Sequence, residues 1–139
     1  PYSALRKGVA KTRDFRIVKV GLTRPREELY ERINRRVEQM MAAGMEEEAR
    51  AVYAYRKCNS LQTVGYRELF AYMDGEYDRA RAVELIQQNS RRYAKRQLTW
   101  FRRDAEMRWV DLSEEHMPVE KILKMLLMNE QDVYETMDI

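Results

Sequence analysis

The sequence has few of the residues that build cross-links and metal sites. Its 139 residues include one cysteine, Cys58, and one histidine, His116. A single cysteine excludes an internal disulfide, and a structural zinc site needs more cysteine and histidine ligands than the chain holds. A lone thiol suits a reducing compartment, so we expect a cytoplasmic protein.

Long apolar segments and catalytic motifs are also lacking. No apolar run approaches the ~20 residues of a membrane-spanning helix, and no segment resembles a signal peptide, so we expect no membrane partner. The sequence contains no Gly-x-x-x-x-Gly-Lys-Ser/Thr phosphate loop and no dinucleotide fingerprint. No arrangement of a histidine with a serine or cysteine nucleophile stands out, and no carboxylate pair does. Composition and spacing therefore identify no catalytic residue and no metal ligand in this chain.

Charge is abundant but nearly balanced, with 26 basic and 23 acidic residues and a net charge of +3. An electrostatic function must therefore depend on local clustering. The clearest cluster lies between Arg91 and Arg103, where a helix would place all the basic side chains within an arc of roughly 140°. We call this set the basic strip; it comprises Arg91, Arg92, Lys95, Arg96, Arg102 and Arg103, and Thr99 lies within the same arc.

The basic strip has two interpretations. In one, it is a solvated helix face whose arginines pair with acidic neighbours, although the segment itself contains no Asp or Glu. In the other, it binds a polyanion, and RNA is our leading candidate because lysine and arginine gain affinity on phosphates by counterion release. The opposite face carries Tyr93, Ala94, Leu98, Trp100 and Phe101, which we expect to face the core, although aromatic side chains could also stack on unpaired bases.

A second cluster is the segment from Gln62 to Arg67. Gly65 interrupts an otherwise helical pattern, at a cost of about 1 kcal/mol relative to alanine. The glycine is explained if a backbone or a nucleotide approaches closely, in which case Tyr66 and Arg67 offer a stacking plane and a phosphate donor. A glycine in the first turn of an ordinary helix is an equally good explanation of Gly65.

A third cluster is the pair Arg32 and Arg36, one helical turn apart. Two guanidinium groups at this spacing can hold a phosphate or a diphosphate through forked hydrogen bonds. Surface ion pairs are the alternative, because Glu28 precedes Arg32 by four residues and Glu31 precedes Arg35 by four.

The periodicity predicts a mainly α-helical fragment with about five helices and one or two short strands. The strands are predicted at Phe15–Val20 and Arg108–Leu112. Thr23 and Pro25 should begin the first helix, which should end at Gly44. Further helices are predicted over Met45 to about Arg56, with three glutamates suiting its positive N-terminal end, and over Leu61 to about Met73. Asp78 should cap a long helix that runs toward Arg103 and buries Val83, Ile86 and Tyr93, and a last helix should begin at Pro118. We expect the acidic tail from Asn129 to fray.

Three stretches make the sequence recognisable: PREELYERINRRVEQMMAAGMEEEA, QTVGYRELFAYMDGE and NSRRYAKRQLTWFRRD. In order and wording they resemble the C-terminal part of the tRNA dimethylallyltransferase (tRNA isopentenyltransferase) family, and the resemblance covers roughly Phe15 to Leu112. VGYREL and AKRQLTWFRR are its most specific parts. That family prenylates the adenine just 3′ of the anticodon in tRNAs that read codons beginning with U.

The resemblance implies a P-loop-like α/β transferase with an inserted helical domain, which grips the anticodon stem-loop and flips out the target adenine. Dimethylallyl diphosphate is the expected second substrate, and Mg²⁺ is expected to assist departure of diphosphate, with its ligands outside this chain. An arginine of the LYERINRR helix should hold the diphosphate; Arg32 is favoured over Arg36. The expected tRNA-binding residues are Gln62, Thr63, Val64, Gly65, Tyr66, Arg67, Lys95, Arg96, Gln97, Leu98, Thr99, Trp100, Phe101 and Arg102.

The chain departs from the family in one respect, because it lacks the family's N-terminal phosphate loop and catalytic aspartate. We therefore expect a C-terminal fragment of a monomeric enzyme, inactive alone. Its parts would be residues 1–14, a family-like segment at 15–112, and a C-terminal helix and tail at 113–139. A noncatalytic helical RNA-binding module is the alternative, and a helical bundle for protein interaction, with methionines filling a groove, is a third hypothesis.

Overall fold

Five α-helices and two strands form the part of the chain that the computed structural model describes, which is Phe15, residues 17–114 and residues 118–127. In chain order they are β1 (Lys19–Thr23), α1 (Arg26–Ala42), α2 (Met45–Ala51), α3 (Tyr66–Met73), α4 (Arg79–Phe101), β2 (Met107–Asp111) and α5 (Pro118–Leu127). Two short 3-10 helices, Tyr53–Tyr55 and Asn59–Leu61, connect α2 to α3. The predicted mainly helical fold with two strands is therefore confirmed.

The two strands pair in parallel, with Gly21 opposite Trp109. A side chain at Gly21 would collide with the Trp109 indole, because a Cβ there would lie 2.7 Å from Cε3. The Lys19 ammonium closes one end of the pair by donating to Asp104 at 2.8 Å and Glu106 at 2.6 Å. Parallel strands occur almost only in sheets covered on both faces, so this pairing is typical of an α/β architecture.

The first strand was predicted too early in the chain. The sequence favoured Phe15–Val20, but β1 begins at Lys19, where pairing with β2 begins, and Phe15 and Ile17 are mostly exposed. The second predicted strand is confirmed in β2.

Helix α1 begins one residue after Pro25, which occupies the N-cap position, while Thr23 ends β1 instead of capping the helix. Pro25 has no N–H to leave unpaired, and its carbonyl accepts a hydrogen bond from the Leu29 N–H at 3.0 Å. Gly44 ends this region as predicted, with a φ of 99° in the left-handed range.

The next two helices are shorter than predicted. Helix α2 ends at Ala51 because the chain continues into a 3-10 turn, although its three glutamates do lie in the first turn, as expected. Helix α3 begins at Tyr66, not Leu61, because Gly65 adopts a φ of 107° that an α-helix cannot contain.

Helix α4 is capped by Asp78, whose carboxylate accepts the Arg81 N–H at 2.7 Å, as the sequence predicted. It packs against α1 and α3. The prediction of a buried side is confirmed at Ile86 and wrong at Tyr93, which is exposed. The core is formed by α1, α2, α3 and α4. Its buried residues are Val37, Met41, Ala49, Leu69, Phe70, Ala82 and Ile86.

Helix α5 is confirmed from Pro118 to Leu127, and its apolar residues Leu123, Leu126 and Leu127 remain largely exposed. The predicted fraying tail lies outside the described residues. Among the residues that the structure describes, no helix combines the length and apolarity that a bilayer crossing requires.

Candidate nucleic-acid interface

The basic strip lies on the outer half of α4 and the turn that follows it. Helix α4 ends at Phe101, so Arg102 and Arg103 belong to its C-terminal turn instead of its last helical residues. Apart from Arg91, every member of the strip is an exposed residue. Within the described residues, none of the six basic side chains forms an ion pair with a carboxylate. The interpretation in which acidic neighbours neutralise the strip is therefore wrong for this part of the chain.

Arg91 differs from the rest of the strip because it turns toward α1. Its guanidinium donates to the Asn34 side-chain oxygen at 2.5 Å and lies 6.0 Å from the centre of the Tyr30 ring. These contacts fix α4 against α1 and leave the other five basic groups to face solvent.

The aromatic residues beside the strip are not core residues. The sequence predicted that Tyr93, Trp100 and Phe101 face the core, but they are 53%, 70% and 45% exposed. The prediction fails because the core formed by α1 and α3 covers only the first half of α4, where Ala82 and Ile86 are buried.

Trp100 lies within a shallow groove among the basic residues. The groove has a volume of about 470 Å³ and is lined by Arg92, Lys95, Arg96, Thr99, Trp100 and Arg103. An exposed indole surrounded by cations suits an unpaired base, because the ring stacks on the base while guanidinium groups contact the adjacent phosphates. The Thr99 hydroxyl donates to the Lys95 carbonyl at 2.9 Å, within the helix.

The segment from Gln62 to Arg67 forms the start of α3. The close approach that Gly65 permits is that of Met45, since a Cβ on Gly65 would lie 2.3 Å from the Met45 methyl carbon. Tyr66 stacks on Phe70 with ring centres 5.9 Å apart, so one ring face is covered. Val64 packs against the core, whereas Gln62, Thr63 and Arg67 are exposed. Of the aromatic and basic groups in this segment, Arg67 is thus the one best placed to contact a ligand.

A buried carboxylate, which the sequence analysis missed, organises this segment. Glu68 is 3% exposed, and its Oε2 accepts the Gly65 N–H at 2.7 Å. Its Oε1 accepts from Asn89 of α4 at 2.8 Å and from Arg67 at 3.1 Å. Burial alone would raise the pKa of Glu68, but the hydrogen bonds from Gly65, Asn89 and Arg67 outweigh it, and the pKa lies below its ordinary value. The available signal was a glutamate three residues after a helix-capping glycine.

The two candidate diphosphate-binding arginines differ in their surroundings. Glu31 pairs with Arg35 at 2.7 Å, as the spacing predicted, but Glu28 pairs with Arg24, so Arg32 has no carboxylate partner among the described residues. Arg36 borders a cleft between α1 and α4 with a volume of about 430 Å³.

This cleft brings together Arg36 and two of the residues expected to bind tRNA. Arg36 comes from α1, Val64 from the segment before α3, and Gln97 from α4. Its wall is mainly apolar and includes Ile33, Val37, Met40, Ile86 and Ala94, with Ser90 and Tyr93 as further polar groups. An apolar cleft of this size with few polar groups has the character of a small-molecule site. Arg32 does not line it.

Comparison with known proteins identifies the family. A family model described as IPP transferase matches residues 1–104. The chain belongs to the IPP transferase family. It is 57% identical over 114 residues to tRNA dimethylallyltransferase 1 of Bacteroides fragilis, covering 82% of this chain and 38% of that protein. It is 60% identical over 109 residues to tRNA dimethylallyltransferase 2 of Porphyromonas gingivalis, covering 78% and 36%. The chain thus spans less than half the length of these curated relatives.

Solved structures of this family share the fold. The full-length tRNA isopentenylpyrophosphate transferase of Bacillus halodurans matches with a TM-score of 0.71 and 44% identity, covering 78% of this chain and 36% of that one. A tRNA delta(2)-isopentenylpyrophosphate transferase of Staphylococcus epidermidis matches with a TM-score of 0.73 and 34% identity, covering 78% and 37%.

The magnesium ion that the resemblance implies finds no set of ligands among the residues that the structure describes. Within the described ranges, no group of three or more His, Cys, Asp or Glu side chains is arranged to hold a metal ion.

Proposed function

We propose that this chain is the C-terminal part of a tRNA dimethylallyltransferase. The full-length enzyme would transfer the dimethylallyl group of dimethylallyl diphosphate to the exocyclic amine of the adenine 3′ of the anticodon. In that reaction the amine nitrogen forms a bond to the allylic carbon, the carbon–oxygen bond to diphosphate breaks, and the nitrogen loses a proton. The observation that carries the proposal is a basic strip that has no carboxylate partner among the described residues and lies beside an exposed tryptophan, in a chain whose relatives are named for this activity.

The basic strip would hold the anticodon stem-loop. Its arginines and lysine contact phosphates and fix the position of the RNA, while Trp100 stacks on an unpaired base of the loop. Arg67, at the start of α3, adds a further phosphate contact. These residues therefore bind and orient the RNA substrate, and the reacting groups lie elsewhere in the full-length protein.

For the diphosphate, the geometry favours Arg36 over Arg32. Arg36 borders the cleft that Val64 and Gln97 also line, whereas Arg32 is not among its lining residues. The apolar wall of the cleft suits a five-carbon prenyl chain, and the guanidinium at its rim suits the two phosphates. The sequence favoured Arg32, and we propose Arg36 instead.

The remainder of the site would come from the part of the relatives that this chain does not cover. We propose that β1 and β2 belong to a larger parallel sheet of a P-loop-like α/β core, because a parallel pair is normally covered and extended by neighbouring elements. The enzyme would act as a monomer, with magnesium bound by residues outside this chain, and the chain alone would not catalyse transfer.

Steady-state kinetics on the full-length enzyme test these roles. Arg96→Ala or Arg102→Ala should raise the KM for tRNA about three- to tenfold and leave the KM for dimethylallyl diphosphate nearly unchanged. Arg36→Ala should do the reverse, and Arg32→Ala should change neither strongly. Arg81→Ala, which removes an exposed charge from the other end of α4, is the matched control.

Two results would overturn parts of the proposal. If the arginine variants of both groups raised the same KM, the division of roles would be wrong. If the full-length protein bound an anticodon stem-loop but never transferred a dimethylallyl group, the noncatalytic RNA-binding module would be the better description.

A further inference from the structure

The two groups of RNA-facing residues are joined by a chain of hydrogen bonds through the protein. Arg67 donates to Glu68 at 3.1 Å, and Asn89 donates to the same Glu68 oxygen at 2.8 Å. Asn89 then accepts from Arg92 of the basic strip at 3.3 Å. A continuous path thus runs from the start of α3 to the groove around Trp100.

Glu68 is an unusual residue for a purely structural part of a small core. A carboxylate that is 3% exposed requires several hydrogen bonds to offset its desolvation. An apolar side chain would fill the position more simply, whereas the carboxylate holds one arginine that is more than half exposed. Its second oxygen holds the Gly65 N–H at 2.7 Å, which fixes where α3 begins.

We propose that Glu68 and Asn89 are positioning residues that set the spacing between Arg67 and Arg92. This inference rests on the proposed function, because it requires both arginines to contact one RNA. Neither Glu68 nor Asn89 need touch the RNA itself. Fixing the two guanidinium groups before binding reduces the conformational entropy lost when they meet phosphates.

The central test uses Glu68→Gln in the full-length enzyme. Glutamine keeps one oxygen to accept the Gly65 N–H, so the helix start is retained, but it removes the charge that holds Arg67. We expect the dissociation constant for an anticodon stem-loop to rise about three- to tenfold. The KM for dimethylallyl diphosphate should stay within about twofold. Glu84→Gln, which breaks an exposed ion pair with Arg81 on α4, is the matched control and should leave both constants unchanged.

A double-mutant cycle separates positioning from general destabilisation. Because Glu68 acts through Arg67, Arg67→Ala should weaken RNA binding in the wild type and have little further effect in the Glu68→Gln background. Additive losses would overturn the inference, as would Glu68→Gln binding RNA as tightly as the wild type. Asn89→Ala, which cuts the path without removing the buried charge, should weaken RNA binding and leave the prenyl-donor KM unchanged.

These outcomes are distinct from failure of the proposed function. If Arg67→Ala and Arg96→Ala left stem-loop binding intact, the RNA-binding role of the whole surface would be wrong. If those two variants weakened binding while Glu68→Gln and Asn89→Ala did not, only the positioning role would be lost.

Discussion

At the scale of single residues, Gly65 shows most clearly how local conformation determines the site. Its φ of 107° lies in a range that other residues rarely adopt, and Met45 occupies the space where a side chain would begin. The glycine therefore places Tyr66 and Arg67 at the first turn of α3. The sequence analysis singled out Gly65 because a glycine within a helix lowers stability. It could not identify the group that approaches the glycine, because Met45 is distant in the chain.

Gly65→Ala should destabilise the protein by about 1–3 kcal/mol, mainly through backbone strain, because the Met45 methyl carbon ends a flexible side chain that can move aside. Gly75→Ala is the matched control and should cost about 1 kcal/mol, since Gly75 also has a positive φ but a Cβ added there would meet no atom within 4 Å. Chemical denaturation of each variant gives the comparison. Equal losses would show that moving the Met45 side chain adds nothing to the cost of a positive φ.

At the scale of elements, helix α4 has two roles along its length. Its first half packs into the core through Ala82 and Ile86, and its second half carries the basic strip away from the core. The helical period placed Arg92, Lys95 and Arg96 beside one groove, because a period depends only on spacing, but Arg91 turns toward α1. It could not predict that Trp100 is exposed, because burial depends on which neighbours reach that part of the helix.

The same limit explains the other errors. Gly44 and Asp78 were placed correctly because helix ends have local chemical signals. Glu68 was missed because its partner Asn89 lies on another helix. The choice between Arg32 and Arg36 is not one of these errors and stays a prediction, because spacing does not show which of the two borders a cleft made by three separate segments.

The N-cap of α4 provides a test at this scale. Asp78→Ala removes the carboxylate that accepts the Arg81 N–H and should lower the free energy of unfolding by about 0.5–2 kcal/mol. Asp78→Asn should retain most of that stability, because asparagine caps helices nearly as well. Thermal unfolding of the two variants measures the difference. An alanine variant as stable as the wild type would show that the cap does not hold α4.

At the scale of the whole molecule, the fold gathers unpaired positive charge of the described residues on one surface. The net charge is only +3, yet five basic side chains on and just after α4 face solvent without carboxylate partners in the described part of the chain. The family could be recognised from the sequence because the VGYREL and AKRQLTWFRR stretches are specific to it. The way these stretches share a surface follows only from the packing of α3 and α4.

The most direct measurement of the central claim is the salt dependence of anticodon stem-loop binding by the full-length enzyme. Replacing Arg92, Arg96 and Arg103 with alanine should weaken binding at low salt. It should also reduce the slope of log Kd against log salt by roughly 2–3, because each lost phosphate contact removes about 0.7–0.9 of a released counterion. A variant with the wild-type slope and affinity would contradict the account, since RNA would then bind somewhere other than the basic strip.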